Sequence, residues 1–393
     1  MPAEAKSGIG KRVAYYRSIG RMTQEQLALA ANIHIGTLRK IERGARGVGD
    51  GVLEAISAAL GVDPSVLLAG RSQADSRIKH ALPALSAVIA AYDIPDDGPT
   101  RPLPELASAV AEAAAWRVAA QYVRIIATMP GLLAELFRAH QLAAPQQQPN
   151  IARLMVSALR SADAVAYKAG AHDLSARLVE LMRWSAGHAQ DQLVDSSVAY
   201  VRTETFFAAH AYSAGLRALE QAVDLAPPPE GTAATAARGA LHMRAAVIAG
   251  RADNTAAADV HLAEARRLGD QIPEGVYGGT AFGPWSVRVH EVSVAVSLGN
   301  DRVHRALDIA REWAPPPELP AERRSGFYID LGRAQLWAGL PDDAYESLKV
   351  ARRIAPQHTR DHPWVREDAG TLRRLKRADV EGLSNFAEWC QAS

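Results

Sequence analysis

The chain has 393 residues, 48 % hydrophobic and 22 % charged, with a formal net charge of +1. That length exceeds one ordinary compact core and implies several domains or a repeat array. A single cysteine, Cys390, excludes an intramolecular disulfide and a cysteine-based zinc site, no apolar run reaches the roughly 18 residues of a membrane helix, and "MPAEAKSGIGKRV" lacks a secretory apolar core, so a cytoplasmic protein with no membrane partner is expected. The charge is unevenly divided: residues 1–50 carry nine Lys/Arg against four acids, a net of +5, and the remainder carries −4. A basic head on a mildly acidic body suits a polyanion-binding module joined to a regulatory one.

In chain order, the first informative stretch is "MTQEQLALAANIHIGTLRKIERG", Met22 to Gly44. Thr23 is placed to N-cap a helix with Gln26 as capping-box partner, and the helix runs Gln24 to Ala31. Asn32 tolerates the left-handed turn that follows. A second helix begins at His34 or Ile35 and stops at Gly44. Leu27, Ala31, Ile33, Leu38 and Ile41 supply the buried faces, and Ala28 is small where the helices should cross. Two short helices around one turn predict a helix-turn-helix, whose second helix enters the DNA major groove.

Residues 9–68, from "IGKRVAYYRSIGRMTQEQLALAANIHIGTLRKIERG" through "LEAISAALGVDPSVLL", resemble the XRE/Cro-type family of helix-turn-helix regulators, the class of phage repressor heads. The resemblance implies a five-helix, lambda-repressor-like domain in which an Arg of the first helix, here Arg17, pairs with a Glu late in the recognition helix, here Glu42. It further implies that Gln24 bonds a DNA phosphate or braces a base-reading residue, and that Ile35, Gly36, Arg39 and Lys40 face base edges. Arg39 or Lys40 would suit guanine and Ile35 a thymine methyl. Thr37, Arg43, Arg46 and Arg12 would reach phosphates, with Thr23 and His34 at the two helix starts completing the interface. Ile35-Gly36 departs from many relatives, which carry polar side chains there.

Beyond the head the reading is all-α. Domain 1–69 is followed by a polar linker over 70–78 ("GRSQADSR" within it), adaptor helices over 79–149, and from 150 to 393 a helical array resembling tetratricopeptide (TPR) repeats, a TPR-like α-solenoid. "GFYIDLGRAQLWAGLPDDAYESLKVARRIAP" places Gly332 and Ala344 where two helices must approach closely, Ala351 where the next pair docks, and Pro356 as a stop. Ala-Pro stops recur at 226–227, 314–315 and 355–356, giving candidate pairs 151–188, 192–226, 232–270, 284–314 and 322–356, with closing helices near 362–376 and 378–391. The architecture is similar to the peptide-sensing regulators of Gram-positive bacteria and, through its Ala/Arg content and "TAFGPWSVRVHEVSVAVSLG", to a large actinobacterial set.

Stacked pairs make a concave groove fit for a peptide or small-molecule effector. Aligning the pairs puts Glu204, Arg244 and Arg333 at one inward position with Tyr200 and Trp337 a turn away, and Trp285, Arg288 and His290 form a second lining after the connector "GGTAFGP". The arginines suit a ligand carboxylate or phosphate; inter-helix ion pairs are an equal use for them. "HTRDH" (358–362) reads as a helix-stop loop with solvated histidines rather than a metal site, and Cys390 as a structural thiol. No catalytic constellation emerges, so neither an enzyme nor a cofactor is expected. The expected protein is a homodimeric regulator binding a double-stranded operator; a TPR scaffold with a vestigial head, or a phage or mobile-element repressor, is the alternative.

Overall fold

The computed structural model describes residues 9–20, 22–45, 48–62, 67, 73–299, 302–375, 380–390 and 392. The chain divides into two compact units, one built from residues 1–77 together with 377–393, the other from 78–376.

In the first unit, helices α1 (Ile9–Ile19), α2 (Gln24–Ala30), α3 (Ile35–Glu42) and α4 (Asp50–Leu60) enclose a small core. Val13, Leu27, Ala28, Ala31, Leu38, Ile41, Leu53, Ile56 and Leu67 are buried there, with Ile33 half-buried against them. Gly10 sits where α1 crosses α3: a Cβ on it would lie 1.9 Å from the Ile41 carbonyl oxygen. Five helices are expected over 9–68; residues 63–66 and 68 lie outside the described residues. The same unit includes the C-terminal helix α20 (Val380–Trp389), which buries Leu383, Phe386 and Ala387, and next to it Cys390. The expected repeat domain running to residue 393 is therefore corrected: it ends at Lys376, and the chain returns to the head.

The linker expected over 70–78 is also corrected. Residues 73–77 begin helix α5 (Gln73–Ala90). Polarity alone does not break a helix, and no Gly or Pro stands between 73 and 82 to do so.

The second unit is a succession of helical hairpins. Among the described residues six pairs follow one another: α6 (Leu103–Val118) with α7 (Tyr122–Leu142), α8 (Gln148–Lys168) with α9 (His172–Ala189), and α10 (Gln192–Ala208) with α11 (Tyr212–Leu225). Then come α12 (Thr232–Arg251) with α13 (Thr255–Gly269), α14 (Pro284–Ser297) with α15 (Val303–Glu312), and α16 (Ala321–Trp337) with α17 (Pro341–Ile354). Short helices α18 (Pro356–Asp361) and α19 (Pro363–Leu375) close the array. Every pair turns through a residue of positive φ at the same place: Ala120, Gly170, His210, Asp253, Gly299 and Gly339. Helices α6 and α7, expected as adaptor helices, share this turn with the pairs that follow them. One apolar cluster runs from Ile78 to Val294 and takes in Ala355, and a second, from Val289 to Ala334, holds α14, α15 and α16 together. Gly332 and Ala344 meet as expected, a Cβ on Gly332 falling 3.3 Å from the Ala344 carbonyl oxygen.

The all-α expectation needs one amendment. The connector around "GGTAFGP" forms a two-stranded antiparallel hairpin, β1 (Gly275–Tyr277) and β2 (Thr280–Phe282), in register Gly275↔Phe282, Val276↔Ala281 and Tyr277↔Thr280. Gly278 and Gly279, with φ of 51° and 78°, supply the two positive-φ positions of its turn.

Candidate nucleic-acid interface

The geometry of α2 and α3 follows from local chemistry. Thr23 Oγ1 accepts from the Gln26 amide at 3.1 Å, while Gln26 Oε1 accepts from the Thr23 amide at 2.7 Å, a complete capping box. Asn32 takes φ 50° and turns the chain. His34 then caps α3: its Nδ1 accepts from the Gly36 amide at 3.0 Å. Gly36 makes this approach possible, since a Cβ there would meet the ring nitrogen at 3.1 Å. Thr23 and His34 thus hold the two helix starts with their side chains. At the far end the Ala45 amide donates to the Lys40 carbonyl and the Gly44 amide to that of Ile41, the paired bonds that end a helix at a left-handed glycine.

One polar network fixes the outer face of α3. Arg17 donates to Glu42 through Nε at 2.7 Å and Nη2 at 3.2 Å, and through Nη1 to the Met22 carbonyl at 2.9 Å. Gln24 Nε2 donates at 2.6 Å to Glu42 Oε2, the oxygen that Arg17 Nη2 also reaches, and Gln24 Oε1 accepts from Arg39 Nε at 3.3 Å. A buried carboxylate on α3 is therefore satisfied from α1 and α2, and its amide partner reaches out to hold an exposed arginine. Of the two roles open to Gln24, this arrangement provides the brace. Leu38 and Ile41 point into the core; Arg39, Lys40 and Arg43 are exposed, and Ile35, Gly36 and Thr37 are half-buried on the same helix.

One of the expected phosphate contacts differs. Arg12 turns inward and donates from Nε to the Leu67 carbonyl at 2.8 Å, its pKa lowered by burial against the attraction of Glu388 on α20. Helix α20, which carries Glu388, belongs to the same unit as α1. Arg46 lies outside the described residues.

A family model described as "Helix-turn-helix" matches residues 20–67, the segment whose geometry is given above. Residues 20–67 are a helix-turn-helix domain. None of the curated proteins compared matches the chain. Among solved structures, PlcR of Bacillus thuringiensis, described in complex with the peptide PapR7 and DNA, aligns at 15 % identity over 66 % of this chain and 93 % of that one. The TM-score is 0.29, too low for the superposition to bear on fold or function.

The expected groove residues do not form one set. Arg244 donates to Thr203 Oγ1 at 2.6 Å, lies 3.5 Å from Glu204, and stacks on Tyr200 and Phe207 with its guanidinium 4.9 and 5.0 Å from their ring centres. Arg333 stands elsewhere: Glu367 and Asp368 neutralise it, and Trp364 and Trp337 flank it. The joint use of Arg244 and Arg333 is corrected accordingly, because α19 brings two carboxylates to Arg333 that the alignment of pairs did not contain. Arg288 reaches Glu312 at 3.4 Å beside Trp313, and Trp285 is partly exposed, its amide donating to Glu274. His290 is buried; its Nδ1 donates to the Ser286 carbonyl, which leaves Nε2 to accept from Arg323 at 3.1 Å. His358 is buried too, against the expected solvated loop, because Pro356 starts a helix instead of opening a loop.

Sequence reasoning missed three arginines in the body. Arg117 and Arg160 are buried, 8 % and 7 % exposed, and Arg323 is half-buried. A charge inside "AAAWRVAA" and "SALRSADA", runs otherwise fit only for a core, was the available signal.

Proposed function

We propose that the protein is a sequence-specific, DNA-binding transcription regulator of the cytoplasm that works as a homodimer, its helical body sensing a peptide or small molecule. The observation carrying this is the Arg17–Glu42–Gln24–Arg39 network, which anchors a cation on the outer face of α3 while the inner face seals the core. Base reading demands such a face: side chains held at fixed angles on a rigid helix, with positive charge for the flanking phosphates. Ile35 would pack on a thymine methyl and Arg39 or Lys40 would pair with guanine, with Thr37 and Arg43 on phosphates.

Dimerisation follows from the size of the reader. An α3 of eight residues offers few base contacts, so two heads on a two-fold site are needed for tight binding. The head is joined to the body by two stretches of chain, at 77–78 and at 376–377. A change of curvature in the repeats therefore acts on the head through both connections, with a coupling of about 1–3 kcal/mol typical of such devices.

Selection of bound duplexes from a random pool by the full-length protein tests the reading. It should return one motif with two inverted half-sites about one helical turn apart, bound by a particle of twice the chain mass in sedimentation. Enrichment of no motif would overturn the proposal and leave the interaction scaffold.

A further inference from the structure

Two of the arginines missed in the sequence, Arg117 and Arg160, meet at the tip of the β1–β2 hairpin, and the third, Arg323, stands close enough to lower the pKa of both. Arg117, from α6, donates to the Gly279 carbonyl at 2.6 Å. Arg160, from α8, donates to the Gly278 carbonyl at 2.7 Å, to Thr280 Oγ1 at 2.6 Å and to Ser197 Oγ at 2.9 Å. Arg323, from α16, donates to Tyr200 Oη at 2.7 Å and to His290 Nε2. All these acceptors are neutral.

The carboxylates nearby are engaged elsewhere. Glu322 is bound by Lys168 at 3.0 Å, Glu204 lies beside Arg244, and Asp163 accepts from Ser175 at 2.6 Å with burial driving it toward its protonated form. Burial and the neighbouring Arg117 lower the Arg160 pKa to about 9. Burial raises the Tyr200 phenol, yet Arg323, Arg244 and Arg160 together bring it below its ordinary value. Enclosed guanidiniums hydrogen-bonded only to neutral carbonyls, hydroxyls and an imidazole are costly, because such groups recover their desolvation penalty chiefly from anions.

The hairpin is constructed to fill that place without neutralising it. Its base is fixed: Phe282 is fully buried, packed where Gly239 of α12 leaves room for the ring, and Glu274 accepts from the Trp285 and Ser286 amides. Its tip is two glycines. A Cβ on Gly279 would stand 2.9 Å from Arg117 Nη2 and 3.1 Å from Arg160 Nη1, so a glycine is what lets the arginines reach the main chain.

We propose that Arg117, Arg160 and Arg323 form an oxyanion site for a multiply charged phosphate or carboxylate ligand, and that the Gly278–Gly279 tip is a displaceable stand-in for it. The inference rests on the reading of the body as a sensor and names the chemistry sensed. Ligand oxygens take over the guanidinium donors, the tip carbonyls are released, and the hairpin lifts about its fixed base.

The test uses the full-length protein with inorganic pyrophosphate and with citrate in calorimetric titrations, which separates phosphate from carboxylate. Binding of at least one is expected, with Arg160→Gln weakening it by about tenfold or more. Gly279→Ala should tighten binding by disfavouring the competing tip. In the wild-type protein, amide exchange over 274–283 should speed up on saturation, a readout that does not depend on any variant folding. Absence of binding by both anions, or a hairpin whose exchange slows or stays unchanged when the anion binds, overturns the proposal. Operator affinity with and without the anion is measured separately: an anion that lifts the hairpin yet leaves DNA binding unchanged refutes the sensor reading alone.

Discussion

Replacing Glu42 by alanine is the sharpest perturbation of the head. The carboxylate is 7 % exposed and accepts three hydrogen bonds, two from Arg17 and one from Gln24. Its loss leaves the Arg17 guanidinium with the Met22 carbonyl as its remaining hydrogen-bonded acceptor among the described residues, and frees Gln24 from its anchor. Breaking a fully buried pair costs about 3–5 kcal/mol; Arg17, 18 % exposed, recovers part of its hydration, so about 2–3 kcal/mol is expected. Hydrogen exchange of α1 and α3 amides in the full-length protein should then accelerate by about 30- to 150-fold, with the body amides unchanged. Operator affinity should fall as well, since Arg39 is no longer braced. Exchange in α3 within about threefold of the wild type would refute the reasoning, because a satisfied buried carboxylate cannot be that cheap to remove.

Other consequences follow from particular atoms. Gly10→Ala forces α1 away from α3 and should destabilise the head by about 1–3 kcal/mol, whereas Gly51→Ala, an open helical position in α4, should be neutral or stabilising; exchange rates in the head measure both. His358 is held down to about 3, first by burial and then by Lys168, so the folded chain refuses a proton that the unfolded chain accepts below its ordinary value of 6.5. Its contribution is complete above that pH and is lost as the pH falls, by about 2 kcal/mol between pH 7 and 5. Burial raises Asp330 to about 6 and Asp368 to about 7, which acts in the opposite direction, so the measurement is the difference between wild type and His358→Gln in denaturant titrations at each pH. A difference that does not change between pH 7 and 5 would contradict the burial of His358.

The elements legible in the sequence were those marked by residue types with one structural use. Thr23 with Gln26, Asn32 before His34, and Gly44 after Arg43 each announced a helix end, and each is found there. Gly332 and Ala344 announced a close helix contact for the same reason. The repeat rhythm was only half visible, because three of its six turns use Ala120, His210 and Asp253 in place of the glycine that marks such a turn in a sequence. Without that rhythm α6 and α7 read as an adaptor. The hairpin carried its own sign, Gly-Gly between Tyr277 and Thr280, but a helical context on both sides masked it. Helix α20 could not be assigned to the head, since a short amphipathic segment does not name the surface it covers. Arg12 is drawn inward by its bond to the Leu67 carbonyl, a contact between residues far apart in the chain.

The central claim is that α3 meets duplex DNA with its exposed cations, and it is tested most directly by the salt dependence of operator binding. For the full-length protein, the logarithm of affinity should fall linearly with the logarithm of salt, with a slope of about −0.9 for each phosphate neutralised. Arg43→Ala should make that slope shallower by about one such contact per head, and Lys40→Ala should erase discrimination between the selected duplex and a scrambled one. A wild-type affinity indifferent to salt, or discrimination surviving in Lys40→Ala, would contradict the account.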